Sequence, residues 1–294
     1  MGESAVKISD EDRAVILFSC PDRRGIVTEV SHFVSTYNGN IIHSSQHKDE
    51  DEGIFFMRIE WSLTDFAIPK EKIRSAFEPI AIKYGMNWEL KFGNERARVV
   101  IFVSKFDHCL YELLIRNKEG ELPCDVVQII SNHEDAREIA DYFKIPFACF
   151  PMTADTKAET EAREFELMDE KGVDLIVLAR YMQVLSPDFV NRYRNKIINI
   201  HHSFLPAFIG AKPYHQAYKR GVKLIGATSH YVTTDLDEGP IIEQDVERIS
   251  HRDTIQDLIL KGKNLEKEVL ARAVKNHLEH KVLTYSNKTV VFDY

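Results

Sequence analysis

Asn199 and His201 lie two residues apart in the run Ile197-Ile198-Asn199-Ile200-His201-His202-Ser203-Phe204-Leu205-Pro206, and a carboxylate follows in the turn Leu236-Asp237-Glu238-Gly239-Pro240. The first run reads as a buried strand closed by a proline. Side chains at i and i+2 of a strand share a face, so Asn199 and His201 are expected side by side. An amide and an imidazole aimed at one spot are two hydrogen-bond donors, which is what a developing oxyanion needs. Asp237 is placed to orient the imidazole and favour its protonated form. Such a centre needs no nucleophilic Ser or Cys and no metal. His201, His202, His215 and His230 raise the question of a metal site. Adjacent His201 and His202, however, would point to opposite faces of a strand, and no correctly spaced second carboxylate or cysteine accompanies them. The expectation is no metal and no cofactor, with His230 as a supporting group on a neighbouring strand.

The elements that must hold these residues form an alternating α/β series beginning at Arg98. Apolar strands are expected over 99–104, 126–131, 148–150, 175–179 and 197–200. Helices fall between them, at 110–116, 136–143 and 156–171. Strands separated by amphipathic helices imply a mostly parallel, Rossmann-like sheet with its site at the carboxyl ends of the strands. A further strand is expected over 241–246. Asp253 with Gln256 suggests a capping box for a long helix reaching about His280. The chain closes with a hairpin over 283–292 around Ser286-Asn287-Lys288.

Ahead of this series, a strand over 14–19 runs into the turn Cys20-Pro21-Asp22-Arg23-Arg24-Gly25. A helix follows with Ile26, Val27, Val30, Phe33 and Val34 on one face, stopped by Asn38-Gly39. Strands over 40–47 and 54–61 flank a charged tip at 48–53. Pro69 opens a second helix carrying Ile73, Phe77, Ile80 and Tyr84, which Pro79 should kink or split. A strand over 88–92 completes a βαββαβ order, which is ferredoxin-like. The chain is therefore α/β in two domains, 12–93 and 98–294, joined by the polar stretch Gly93-Asn94-Glu95-Arg96-Ala97.

Composition narrows the class. At 294 residues with 44% hydrophobic content the chain is an ordinary globular protein long enough for two domains. A net charge of −8 argues against a nucleic-acid partner. Cys20, Cys109, Cys124 and Cys149 are scattered, with no C-x-x-C pair, so neither a zinc site nor a disulfide framework is indicated. No signal sequence and no bilayer-spanning run is visible, and the expected location is the cytoplasm.

Three ordered blocks carry a resemblance: Asn-Ile-His-His-Ser-Phe-Leu-Pro at 199–206, Gly-Ala-Thr-Ser-His-Tyr-Val at 226–232, and Leu-Asp-Glu-Gly-Pro at 236–240. Together they resemble the folate-dependent formyltransferase superfamily, most nearly its formyltetrahydrofolate deformylase family. The resemblance implies a folate substrate, with Asn199, His201 and Asp237 catalytic. It also implies a pterin-binding stretch at Arg180, Tyr181, Met182, Gln183, Val184 and Leu185, joined by His230 and Asp235. The amino-terminal region resembles an ACT domain, through Pro-Asp-Arg-Arg-Gly-Ile and Asn-Gly-Asn-Ile. That likeness implies two uses: an amino-acid effector site, or a dimerisation surface that pairs subunits along their sheets into a homo-oligomer. The effector site would comprise Asp22, Arg24, Gly25 and Ile26, with Asn38, Gly39 and Asn40 from the adjoining subunit.

The acceptor of the formyl group separates relatives. Glycinamide ribonucleotide formyltransferases carry a glycine-rich, phosphate-cradling loop after the first strand. Here that loop is Ser104-Lys105-Phe106-Asp107-His108-Cys109-Leu110, with no glycine. Water is then the expected acceptor, and the resemblance implies that Asp237 helps to take its proton. Transfer to a small amine, or a non-catalytic amino-acid-sensing regulator, are the rival readings; the missing glycines oppose the first and the intact Asn199, His201 and Asp237 the second.

Overall fold

The computed structural model describes residues 12–206 and 213–292, and they divide into two compact units.

The first unit is built from β1 (Arg13–Pro21), α1 (Ile26–Thr36), β2 (Asn40–Asp49), β3 (Ile54–Ser62), α2 (Lys70–Tyr84) and β4 (Asn87–Phe92). All strand pairs are antiparallel, in the order β2-β3-β1-β4. The helical face of this sheet is covered because α1 buries Ile26, Val30, Phe33 and Val34, and α2 buries Ile73, Phe77, Ala81 and Tyr84. The expected split at Pro79 does not occur: α2 is one helix. Pro79 deprives one carbonyl of its donor, but it sits on the exposed side while the buried stripe runs past it without a break. The end of α1 requires Gly39. Its N–H donates to the Val34 carbonyl at 2.9 Å, and a Cβ there would stand 2.6 Å from Val34 Cγ1.

The carboxyl-terminal hairpin, β12 (Val282–Tyr285) with β13 (Lys288–Val291), departs from the expected boundary at residue 98. His280–Tyr285 and Val290 belong to the first unit. The reason is alternation along β3. Phe55, Met57, Ile59 and Trp61 face the helices, which leaves Phe56 on the opposite face. Val290, Phe292 and Tyr285 cover it, with the Tyr285 ring 4.5 Å from that of Phe56. Arg58 adds a hydrogen bond to the His280 carbonyl at 2.8 Å.

The second unit comprises β5 (Ala97–Val103), α3 (His108–Lys118), β6 (Cys124–Ser131), α4 (Arg137–Phe143), β7 (Phe147–Cys149), α5 (Lys157–Lys171), β8 (Leu175–Ala179), α6 (Pro187–Arg192), β9 (Ile197–His201), α7 (Pro213–Arg220), β10 (Leu224–Tyr231), β11 (Ile241–Arg248) and α8 (Ile255–Leu278). Its sheet has seven strands in the order β11-β10-β9-β8-β5-β6-β7. The pairs from β9 to β7 are parallel; β9–β10 and β10–β11 are antiparallel. The strands β5, β8 and β9 are almost wholly buried, as continuous apolar runs covered on both faces must be. The start of α8 differs from expectation. Its cap is Thr254, whose hydroxyl accepts from Asp257 N at 3.2 Å while Asp257 accepts from Thr254 N at 2.7 Å. Asp253 instead accepts from Ser250 N and pairs with Lys261.

Candidate active site

The register of β9 against β10 assembles the centre. Asn199 stands directly opposite His230, and His201 opposite Thr228. A register shift between Ser229 and His230 in the β10–β11 pairing falls at this point; bulges of this kind re-aim a side chain. His230 Nδ1 lies 2.9 Å from the Tyr231 carbonyl, so that nitrogen carries the proton. Its Nε2 lies 3.3 Å from Asn199 Nδ2 and, in the neutral ring, accepts from it. The amide of Asn199 is thereby fixed with its nitrogen inward, and its second N–H has no partner among the described residues.

Asp237 reaches the same place from the β10–β11 turn, in a left-handed conformation with φ 58°, which Asp tolerates better than most residues. The turn approaches β10 so closely that Tyr231 N–H donates to the Pro240 carbonyl. Only glycine fits at 239, since a Cβ would fall 1.7 Å from the Tyr231 carbonyl oxygen. Asp237 Oδ2 is 3.1 Å from His201 Nδ1 and its Oδ1 is 3.7 Å from His230 Nε2. Burial pushes the Asp237 carboxyl up, but His201 outweighs it and holds the group well below the usual carboxylate range. An ionised Asp237 therefore keeps a proton on His201 Nδ1 and turns Nε2 away. That Nε2 is buried and makes no hydrogen bond among the described residues.

These groups open onto a cavity of about 350 Å³ whose other walls are the segment after β8 and residues 232–236. Arg180, Tyr181, Met182, Gln183, Val184, Leu185, His230 and Asp235 all line it. Met182, Val184 and Leu236 are exposed apolar groups at its edge, suited to a flat aromatic ligand. The segment is braced from behind by groups that the sequence did not reveal as functional. Met182 N–H donates to Ser104 Oγ at 3.0 Å, and Ser186 N–H to Glu161 at 2.9 Å. Tyr181 is as much core as wall: its ring packs on Phe102, and its hydroxyl points to the fully buried Glu164. Burial, then the neighbouring Glu161, push the Glu164 carboxyl up to about 8, so it is protonated at neutral pH.

Arg180 is no surface cation. Its backbone is left-handed (φ 64°), and its guanidinium meets Glu266 of α8 at 3.3 Å and lies over the Phe106 ring. Glu266, 1% exposed, also accepts from Tyr214 at 2.5 Å and faces His108 Nε2 at 2.8 Å. Gly262, one turn before it, makes room for the Tyr214 ring. The signal for Glu161, Glu164 and Glu266 was a carboxylate on the apolar stripe of a helix. Among the described residues, His108, Cys109 and Glu266 are the group close enough to share a cation. They are poor ligands here: Arg180 already supplies positive charge to the same carboxylate oxygen, and burial holds the Cys109 thiol well above its ordinary value.

One geometric expectation is overturned. His201 and His202 are not on opposite faces. The strand ends at His201, so alternation stops there; both residues line the cavity, with ring centres 5.1 Å apart. His215 is exposed on α7, and no contact joins it to this group.

In the first unit the residues expected to form the effector site fall into two groups. Asp22, Arg24, Gly25 and Ile26 lie at the start of α1, where Gly25 has φ 91° and no side chain caps the helix. The Ile26 side chain is core. Asn38, Gly39 and Asn40 lie at the other end of this 11-residue helix, roughly 16 Å away, where Asn38 Nδ2 donates to the Asp65 carbonyl. A single chain does not bring the two groups together.

The formyl transferase family pattern matches residues 97–274, and the ACT domain pattern matches residues 14–78. Fold and site thus define a formyl transferase-type catalytic unit preceded by an ACT domain. The formyltetrahydrofolate deformylase of Bacillus subtilis is 52% identical over 285 residues, 97% of this chain and 95% of that one. The formyltetrahydrofolate deformylase of Synechocystis is 51% identical over 279 residues, 95% of this chain and 98% of that one. The crystal structure of a formyltetrahydrofolate deformylase from Pseudomonas syringae superposes with a TM-score of 0.93 at 47% identity, covering 96% of this chain and 95% of that one. The chain belongs to the formyltetrahydrofolate deformylase family. No helix among its described residues is long and apolar enough to cross a membrane.

Proposed function

We propose that this protein hydrolyses 10-formyltetrahydrofolate to formate and tetrahydrofolate, supplying both to one-carbon and purine metabolism without a cofactor. The observation that carries the reading is the convergence of Asn199, His201 and Asp237 on one wall of the cavity, with Nε2 of His201 making no hydrogen bond among the described residues. The pterin lies along residues 180–185, and the N10-formyl group reaches the β9 wall. When water adds to the formyl carbon, the carbonyl oxygen becomes an alkoxide that accepts from Asn199 Nδ2 and from Nε2 of a doubly protonated His201. Asp237 offsets the imidazolium charge and fixes its direction. Collapse breaks the C–N10 bond, N10 takes a proton, and formate leaves.

Water rather than an amine is the acceptor because the loop after β5 carries side chains where a phosphate cradle needs bare backbone. Phe106 and His108 of that loop are engaged with Arg180 and Glu266. The test is release of free formate with no amine present, against transfer to a small amine. Formate appearing only when amine is supplied would favour the transferase reading. No turnover of either kind would favour the non-catalytic regulator.

For the ACT domain the proposal is narrower: subunits pair along its sheet edges, and a small amino acid such as glycine or methionine binds at the uncapped start of α1. The absence of a side-chain cap beside Gly25 supports it. Calorimetry with each of the twenty amino acids tests it, and no binding by any of them leaves only pairing.

A further inference from the structure

The geometry points to His202 as a further catalytic residue: we propose that its Nδ1 holds the attacking water and takes its proton as the C–O bond forms. This rests on the hydrolytic reading above and adds the base that reading lacks.

The position is set by the end of β9. With alternation gone after His201, the His202 ring lines the same cavity as Asn199, His201 and Asp237. It meets the His201 ring nearly edge to face at 5.1 Å and the Tyr214 ring at 6.2 Å. Its Nδ1 is buried and has no hydrogen-bond partner among the described residues. A buried ring nitrogen beside a reacting centre needs such a partner, and water is the one the reaction brings.

The other candidate base is poorly suited. Asp237 already spends Oδ2 on His201 Nδ1, and its Oδ1 faces His230 Nε2 at 3.7 Å. His202 is held neutral, its pKa lowered to about 4 by burial first, then by the positive charges of Arg180 and His201, against the opposing carboxylates of Glu266 and Asp237. Arg180 comes from the segment after β8, Glu266 from α8, Asp237 from the β10–β11 turn and Tyr214 from α7. A neutral imidazole has a lone pair to offer. The two imidazoles divide the labour: His201, held at Nδ1 by Asp237, donates to the alkoxide, while His202 accepts.

The step balances. The water oxygen forms a bond to the formyl carbon as the carbonyl π pair moves to oxygen. One water proton goes to His202 Nδ1 and from there to N10, the C–N10 bond breaks, and the remaining hydroxyl proton is lost from formic acid.

The experiment compares wild type, His202→Ala and His202→Gln for formate release from 10-formyltetrahydrofolate, tetrahydrofolate affinity, thermal midpoint, and activity with added imidazole. Loss of a general base predicts kcat down about 10²-fold or more in both variants. KM, tetrahydrofolate binding and thermal midpoint should change little, and imidazole should restore part of the His202→Ala rate. Turnover within threefold of wild type overturns the proposal, as does a loss of rate that tracks lost folate binding and gains nothing from imidazole. Wild type that releases no formate would instead overturn the hydrolytic reading itself.

Discussion

His201 Nδ1 and Asp237 Oδ2 face each other at 3.1 Å, with their side chains only 7% and 14% exposed. A shielded pair of this kind ties the charge of one partner to that of the other. Asp237→Asn should therefore lower kcat at least 10²-fold, the usual loss when an oxyanion donor is disturbed, with folate affinity little changed. Steady-state kinetics alongside tetrahydrofolate binding checks this; full activity would leave Asp237 a turn residue. The pair also bears on acid stability. The folded-state pKa of Asp237 is depressed, so its contribution is present above about pH 4 and is lost as pH falls further.

Gly239 is the hinge on which that pair depends. A Cβ there would occupy the space of the Tyr231 carbonyl, the same oxygen that accepts from His230 Nδ1. Gly239→Ala should push the turn off β10, lowering stability by about 1–3 kcal/mol as overpacking does, and cutting kcat with it. Unchanged melting and turnover would show that the turn has slack.

Glu164 gives a stability signal of the opposite sign. Its folded-state pKa is raised to about 8, so the protonated form is preferred in the fold. Its contribution is fully present below about pH 4.3, the unfolded value, and is lost as pH rises through about 8. Glu164→Gln removes this dependence. The thermal midpoint of that variant relative to wild type should climb between pH 5 and 8 and then level off; a flat difference would place the carboxylate in contact with water.

Chelation with EDTA should leave formate release unchanged, because Arg180 already balances Glu266 at the cluster that, among the described residues, is close enough to share a cation. Activity lost to chelator and restored by zinc would turn His108, Cys109 and Glu266 into a metal site.

Much of this was legible because apolar periodicity and strand alternation are local. The βαββαβ unit, the order of the α/β series and the shared face of Asn199 and His201 all follow from residues near one another in the chain. What escaped is what long-range packing decides. Phe56 needed the cover that Leu283, Tyr285, Val290 and Phe292 supply, which places His280–Tyr285 and Val290 in the first unit. His202 looked like an outward neighbour of His201 because nothing in the sequence marks where β9 ends. Glu161, Glu164 and Glu266 lie on the buried stripes of their helices, and only packing beside Tyr181 and Arg180 gives them their roles. Thr254 displaced Asp253 as the cap of α8 by one position, since both sequences of polar residues satisfy the same pattern.

The most direct test of the central claim is formate released from 10-formyltetrahydrofolate, with no amine in the assay, by wild type and by His201→Ala and Asn199→Ala. The account predicts steady release by wild type and a fall of roughly 10²–10³-fold in each variant, with tetrahydrofolate binding retained. Equal formate release by all three proteins would contradict it.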